Sequence, residues 1–187
     1  MAVLPIYTYG TPVLRRKAKT VEKVDDAVIR LIVDMFETMH AASGIGLAAN
    51  QIGVLRRVIV IDVSDASEET KEIKPLVLIN PEIISQNGLW TMEEGCLSIP
   101  DVRDDVERPE LIRFRFRDAN FNEAELEAGG LLGRVVLHEI DHLNGTLFLD
   151  RLSTAKRRTH SESLRRIQRG EIETGYPIIP ASTEAVP

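Results

Sequence analysis

This 187-residue chain has a single cysteine, Cys96, so no internal disulfide can form. That usage fits a reducing compartment. No apolar run approaches the roughly 20 residues that a bilayer-spanning helix needs, so no membrane contact is expected. The start, Met-Ala-Val-Leu-Pro-Ile-Tyr, is neither a basic segment followed by an apolar one nor an Arg/Ser-rich presequence. No targeting segment is therefore expected, and the expected location is the cytoplasm of a bacterium-like cell, although a trimmed organelle protein would read the same. Internal repeats and long linkers are lacking as well. What remains is an ordinary composition, 43% apolar and 28% charged, long enough for one domain with an appended tail.

The net charge of −6 is unevenly spread. Residues 155–169 carry Lys156, Arg157, Arg158, Arg165, Arg166 and Arg169 against Glu162 alone. A basic helix thus follows an acidic body. It invites two readings: an electrostatic contact with the ribosome, or a solvated terminal helix with Leu164 and Ile167 packed inward.

Residues 5–20 read as irregular, with turn signals at Gly10 and Pro12. From Asp25 to Ala42, Val28, Leu31, Ile32, Met35, Phe36 and Met39 recur at steps of three and four, which predicts an amphipathic helix capped by Asp25 or Asp26. His40 reads as an end-of-helix surface residue. The small-residue run from Gly44 to Gly53 has a helix before it and a strand after it, the reverse of a phosphate cradle. Residues 57–63 and 76–80 read as strands, with another beginning at Ile83-Ile84. Residues 112–117 alternate strictly, placing Ile112, Phe114 and Phe116 inward. The outward arginines describe a solvated sheet face and no DNA contact is expected. Residues 121–127 should pair with that strand, and a short strand is expected at Leu147–Leu149. Strands first and one central helix later make the class α+β.

The chemistry concentrates in Leu137-His-Glu-Ile-Asp-His142. On a helix, His138 and His142 project from one face and can grip one divalent ion, with Glu139 beside them as a proton acceptor. Leu131, Leu132, Val135, Val136 and Ile140 supply an apolar background, and Asn144-Gly145 a stop. Two ligands are too few. Upstream, Glu93-Glu94-Gly95-Cys96-Leu97-Ser98 offers a thiolate, and a thiolate with two imidazoles leaves one position open for water, the mark of a catalytic site. The rival third ligand is Glu162, which would make the chain a zinc peptidase. A binding module that has lost catalysis is the other alternative.

Three motifs in order, Gly44-Ile45-Gly46-Leu47-Ala48-Ala49-Asn50-Gln51, Glu94-Gly95-Cys96-Leu97-Ser98 and His138-Glu139-Ile140-Asp141-His142, make residues 6–152 resemble the peptide deformylases. The resemblance implies an α+β fold of antiparallel sheets packed around a central HExxH helix, with a C-terminal helix. It implies a catalytic domain over residues 1–152 and a basic helix with a Pro-bearing tail over 153–187. The implied reaction removes the N-formyl group from formyl-methionine of nascent proteins, releasing formate, on Fe2+, with Zn2+, Ni2+ or Co2+ able to substitute.

Carried over residue by residue, Cys96, His138 and His142 would ligate the metal and Glu139 would be the general base. Gln51, by its amide, and Leu97, by its N–H, would stabilise the oxyanion. The Gly46 backbone would hold the peptide, Ile45, Met92, Leu131 and Val135 would line the methionine pocket, Glu94 and Arg108 would brace the cleft, and Arg103 would lie near the peptide's downstream end. Three departures stand out. Asn50 replaces a frequent Pro and implies a looser loop. Leu137 replaces a frequent Gln. Arg134 falls at a pocket-side position that is often apolar, with its head expected in solvent.

Overall fold

The structure, a computed structural model, describes residues 2–184. After strand β1 (Ile6–Tyr7) and a 3-10 turn at Pro12–Arg15 comes the expected helix, α1 (Asp26–Ala41). Its cap is Asp25, whose carboxylate accepts from the Val28 N–H at 3.0 Å, and Val28, Ile32, Met35 and Met39 are buried along one face. His40 is exposed at the helix end, 3.0 Å from Asp62.

The small-residue run then forms β2 (Gly46–Ala48) and a 3-10 turn at Ala49–Ile52, followed by β3 (Val58–Ile61) and β4 (Leu76–Asn87). Ile83 and Ile84 do not open a new strand. They continue β4 past Pro81, which the ladder accommodates through register shifts on both sides of Glu82. Here Asn80 adopts φ +52° and its side chain bonds both the N–H and the carbonyl of Val21, at 2.9 and 2.8 Å.

The sequence reading did not anticipate the next element, a hairpin of β5 (Trp90–Cys96) and β6 (Ile99–Arg108) closed by a two-residue turn at Leu97-Ser98. Its inward row contains Glu94 and Arg108, charged residues that break the apolar alternation. β7 (Leu111–Arg117) and β8 (Glu123–Gly129) pair as expected, with Ile112, Phe114 and Phe116 buried. The outward Arg113, Arg115 and Arg117 pair with Glu125, Glu82 and Glu123 at 2.6, 2.7 and 3.4 Å. Their charge is matched across the strands, as on a solvated face.

The main sheet is antiparallel, in the order β2-β3-β4-β7-β8, with β2 at one edge. Across it lies α2 (Gly130–Leu143), buried without a break from Gly133 to Leu143. Val135, Val136, Ile140 and Leu143 share a core with Ile59, Ile61, Leu78 and Phe114. At Gly133 a Cβ would meet the Ala128 carbonyl at 2.8 Å, so only glycine lets α2 pack this close to β8.

Residues 147–149, expected as a strand, enter a 3-10 turn at Phe148–Arg151. Their apolar run is buried because it plugs a second face of the hairpin, among Ile99, Val102 and Val106. A short apolar run does not distinguish a strand from such a plug. The basic stretch is two helices, α3 (Thr154–Thr159) and α4 (Ser161–Arg169), hinged at His160. Lys156 and His160 both reach Asp104 on β6, at 2.7 and 2.9 Å. Leu164 and Ile167 are buried against the hairpin. The tail returns to the body: β9 (Ile178–Ile179) pairs in parallel with β1, and α5 (Ala181–Glu184) follows.

Hydrogen bonds from Lys156 and His160 hold the Asp104 carboxyl down to about 2, from an ordinary 3.8. A depressed carboxyl contributes stability above its unfolded pKa and loses it as pH falls through the folded value. Docking of α3 on β6 is therefore expected to be complete above about pH 4 and to weaken between about 4 and 2. Amide exchange in residues 154–160 measured against pH, with Asp104→Asn as the comparison, tests this; identical profiles for the two proteins would refute it.

Candidate active site

α2 presents His138 and His142 on one face, and the end of β5 brings Cys96 up to them. The ligand-capable atoms of the three side chains lie within 4.8 Å of one another, the only such cluster found among the described residues. Cys96 Sγ is 3.1 Å from His142 Nε2. A tetrahedral ion with a thiolate and an imidazole would hold those atoms roughly 3.5 Å apart, so the cluster needs little adjustment to take one. His138 Nδ1 is engaged by Glu94 at 2.9 Å, which leaves Nε2 as its donor. Burial works against charge on His138, yet the Cys96 thiol and Glu94 push its pKa up to about 10. The surroundings of that ring thus favour a positive charge, a proton or a metal cation. Burial, then the neighbouring His138 charge, pushes His142 well down, so its ring is neutral and its lone pair available. The donor set fits a divalent ion.

Glu139 is buried beside this cluster, and Oε2 has no hydrogen-bond partner among the described residues. Burial raises its pKa to about 7, placing it where a carboxylate can both accept and release a proton near neutrality. Gly46 makes room for it: a Cβ there would meet Glu139 Oε1 and Val135 Cγ1, both at 2.7 Å. The Gln51 amide is oriented by its own loop. Its oxygen accepts from the Ala48 N–H at 2.8 Å, so its NH2 faces Ser98 Oγ at 3.2 Å and Cys96 Sγ at 3.7 Å.

These groups stand in a cavity of about 530 Å³. Ile45, Gly46, Gln51, Met92, Glu94, Cys96, Leu97, Arg103, Leu131, Val135, His138 and Glu139 all line it; His142 lies behind them. Glu162, the rival third ligand, is on α4 with 76% of its side chain exposed and 4.0 Å from Arg165. It takes no part in the cluster. Asn50 is wholly buried and its amide donates to the His142 carbonyl, which ties its loop to the end of α2.

Arg134 departs from expectation. Its head does not reach solvent but lies buried, donating to Glu94 Oε1 at 3.0 Å and to the carbonyls of Val106 and Trp90 at 3.0 and 2.5 Å, while stacking over the Trp90 ring. It joins a network that motif reading saw only in part. Arg108 grips Glu94 with two bonds, 2.5 and 2.9 Å, and Asp141 with a third at 2.7 Å; Arg151 completes Asp141 with two of 2.6 Å. Burial alone would raise the Glu94 carboxyl, but hydrogen bonds from His138 and Arg108 hold it far below the carboxylate range. Asp141 lies within the HExxH motif, but nothing in the neighbouring sequence signals its partners. The lining residues Glu173–Tyr176 were missed altogether, because the tail carried no pattern that tied it to the cleft.

An α+β scaffold that turns an HExxH helix and one cysteine toward an open-sided cavity defines the class of candidate mononuclear metal centres in which one thiolate and two imidazoles could serve as ligands. The polypeptide deformylase family model matches residues 3–158, and the chain belongs to that family. It is 47% identical over 192 residues to the peptide deformylase of Salinibacter ruber, covering 99% of this chain and 98% of that one. It is 51% identical to that of Chlorobium phaeobacteroides, covering 94% and 95%. The crystal structure of peptide deformylase from Ehrlichia chaffeensis in complex with actinonin superposes with a TM-score of 0.82 at 40% identity, covering 92% of this chain and all of that one.

Removing one partner of a buried ion pair leaves an uncompensated charge, at a cost of about 3–5 kcal/mol. Arg108→Leu should lose about that much in urea unfolding, and adding Glu94→Leu should return little of it, because the buried Arg134 guanidinium then loses its own carboxylate. Unchanged stability in the single variant would show that the network is not closed.

Proposed function

We propose that this protein hydrolyses the formyl amide of N-terminal formyl-methionine on newly synthesised proteins, releasing formate, with one divalent ion held by Cys96, His138 and His142. The observation that carries this reading is the meeting of one sulfur and two ring nitrogens, from separate elements, beside Glu139 in an open cleft. Membership of the polypeptide deformylase family supports it. Thiolate and imidazole donors suit a borderline divalent ion, and we assign Fe2+, with Zn2+, Ni2+ or Co2+ as substitutes. When bound, the ion supplies Lewis acidity to the formyl oxygen and to water.

The remaining work falls to the chain. Glu139 takes the proton of the attacking water and delivers it to the departing amine nitrogen. The Gln51 NH2 and the Leu97 N–H donate to the oxygen that becomes negative as the formyl carbon turns tetrahedral. Glu94 keeps His138 Nε2 aimed, through its bond to Nδ1. The peptide lies extended along β2, whose far edge carries no strand among the described residues, with Gly46 offering its backbone. Ile45, Met92, Leu131 and Val135 take the methionine side chain, and Arg103 faces the residues that follow.

Cytoplasmic location accords with a thiolate ligand that needs a reducing compartment. The described helices include none long and apolar enough to cross a membrane. The basic surface of α3 and α4 is read as a ribosome contact. Leu164 and Ile167 pack inward while Arg158, Arg165, Arg166 and Arg169 remain exposed, so the packing of this stretch leaves its basic face open to such a contact.

Metal analysis of anaerobically purified protein, with formate release from a formyl-methionyl tripeptide, tests the assignment. Cys96→Ala should lose both the ion and the activity. Glu139→Gln should keep the ion and lose roughly a hundredfold or more in kcat, and Gln51→Ala about a hundredfold. Wild-type rates in Cys96→Ala would sink the reading. For the ribosome contact, reversing the charge of Arg158, Arg165 and Arg169 should weaken co-sedimentation with ribosomes most at low salt; unaltered co-sedimentation would remove it.

A further inference from the structure

Both ends of the chain close on the turn that presents Cys96 and Leu97. Leu97 and Ser98 bridge β5 and β6, and each tip carbonyl is captured from outside the hairpin. The Tyr9 N–H donates to the Ser98 carbonyl at 2.8 Å. The phenolic O–H of Tyr176 donates to the Leu97 carbonyl, also at 2.8 Å. Thr174 Oγ1 donates to the Tyr176 carbonyl at 2.6 Å, curling the tail so that residues 173–176 line the cleft. Beyond Tyr176 the tail is anchored to the N-terminal strand: the Ile6 N–H donates to the Pro177 carbonyl at 2.9 Å and the Thr8 N–H to the Ile179 carbonyl at 3.0 Å. None of these tail residues falls within the stretch matched by the family model, which ends at 158.

We propose that residues 171–179 are part of the substrate cleft, with Tyr176 a positioning residue for Leu97 and Glu173–Gly175 a wall for the peptide's downstream residues. This rests on the deformylase reading. A turn of two residues has few restraints of its own. With the Leu97 carbonyl held, the peptide unit after Leu97 cannot rock, and with Cys96 paired to Ile99 the Leu97 N–H keeps one direction. A donor to a developing oxyanion acts only when it is aimed in advance, and a small misplacement is costly. Gly175 leaves open space within 4 Å of where a Cβ would stand, so the wall is set back and leaves room beside it.

Tyr176→Phe keeps the ring and removes only the hydroxyl. In the metal-loaded protein kcat should fall about fivefold, the worth of one hydrogen bond, while KM for a formyl-methionyl tripeptide stays within about twofold. Amides of residues 97–99 should exchange faster. Deleting 171–187 should add a rise in KM for longer formyl peptides that a formyl-methionyl dipeptide does not show. If the shortened chain does not fold, Gly175→Trp, which fills the wall, should raise KM for the longer peptides alone. Ser182→Ala, which removes a tail bond to the Arg169 carbonyl at 3.2 Å outside the cleft, should behave as wild type. Wild-type kcat and exchange in Tyr176→Phe would overturn the positioning role, and a KM independent of peptide length in the wall variants would overturn the wall. A wild-type protein that releases no formate would count against the deformylase reading alone, since the exchange comparison still decides whether the tail holds the turn.

Discussion

The carboxylate of Glu94 is the point on which the rest of the structure turns. It sits buried on β5 and is met by Arg108 from β6 and by Arg134 and His138 from α2. Such a cluster is a poor source of net stability, because desolvating the ions consumes most of what their attraction returns. What it imposes is discreteness. Neither the hairpin nor the helix can slide without stranding a buried charge, so the distance between the end of β5 and the face of α2 has one value. Cys96 is on the first and both histidines are on the second, so their ligand-capable atoms come within reach of one another only at that value.

Around this charged pivot the cleft is asymmetric. On one side lies the network, closed by Arg151 through Asp141. On the other lies the edge of β2, where Gly46 carries no side chain because Glu139 occupies the space one would need. Arg134 belongs to the first side although it also lines the cavity. Its charge is matched by Glu94, and its two terminal nitrogens also donate to the carbonyls of Val106 and Trp90. It is therefore not a free cation facing the cavity.

Legibility tracked the range of the interactions involved. α1, β7 and β8 follow from periodicity and a cap, since each is decided within about a dozen residues. The three motifs likewise marked the cleft, because ligand and base identities are chemical and do not depend on where the chain goes next. The hairpin of β5 and β6 is hidden because its inward row holds Glu94 and Arg108, whose charges break the apolar alternation by which a strand is read. Ile83 and Ile84 looked like a new strand because Pro81 reads as a break, whereas a bulge carries the ladder through it. The apolar 147–149 run, expected as a strand, is instead a buried plug, because a run so short carries no period of its own.

By itself the sequence determined the class of the fold, the residue types able to hold an ion and their neighbourhood, and the segregation of charge toward residues 155–169. Those follow from composition and spacing, which survive any arrangement in space. Only the tertiary structure decided that Arg134 is buried, that Asp141 links two arginines, and that the tail comes back to line the cleft and hold the Leu97 carbonyl. Each of these rests on a partner 10 to 79 residues away. A side chain's own neighbours in sequence cannot say whether its charge or its hydroxyl will find such a partner or be left to water.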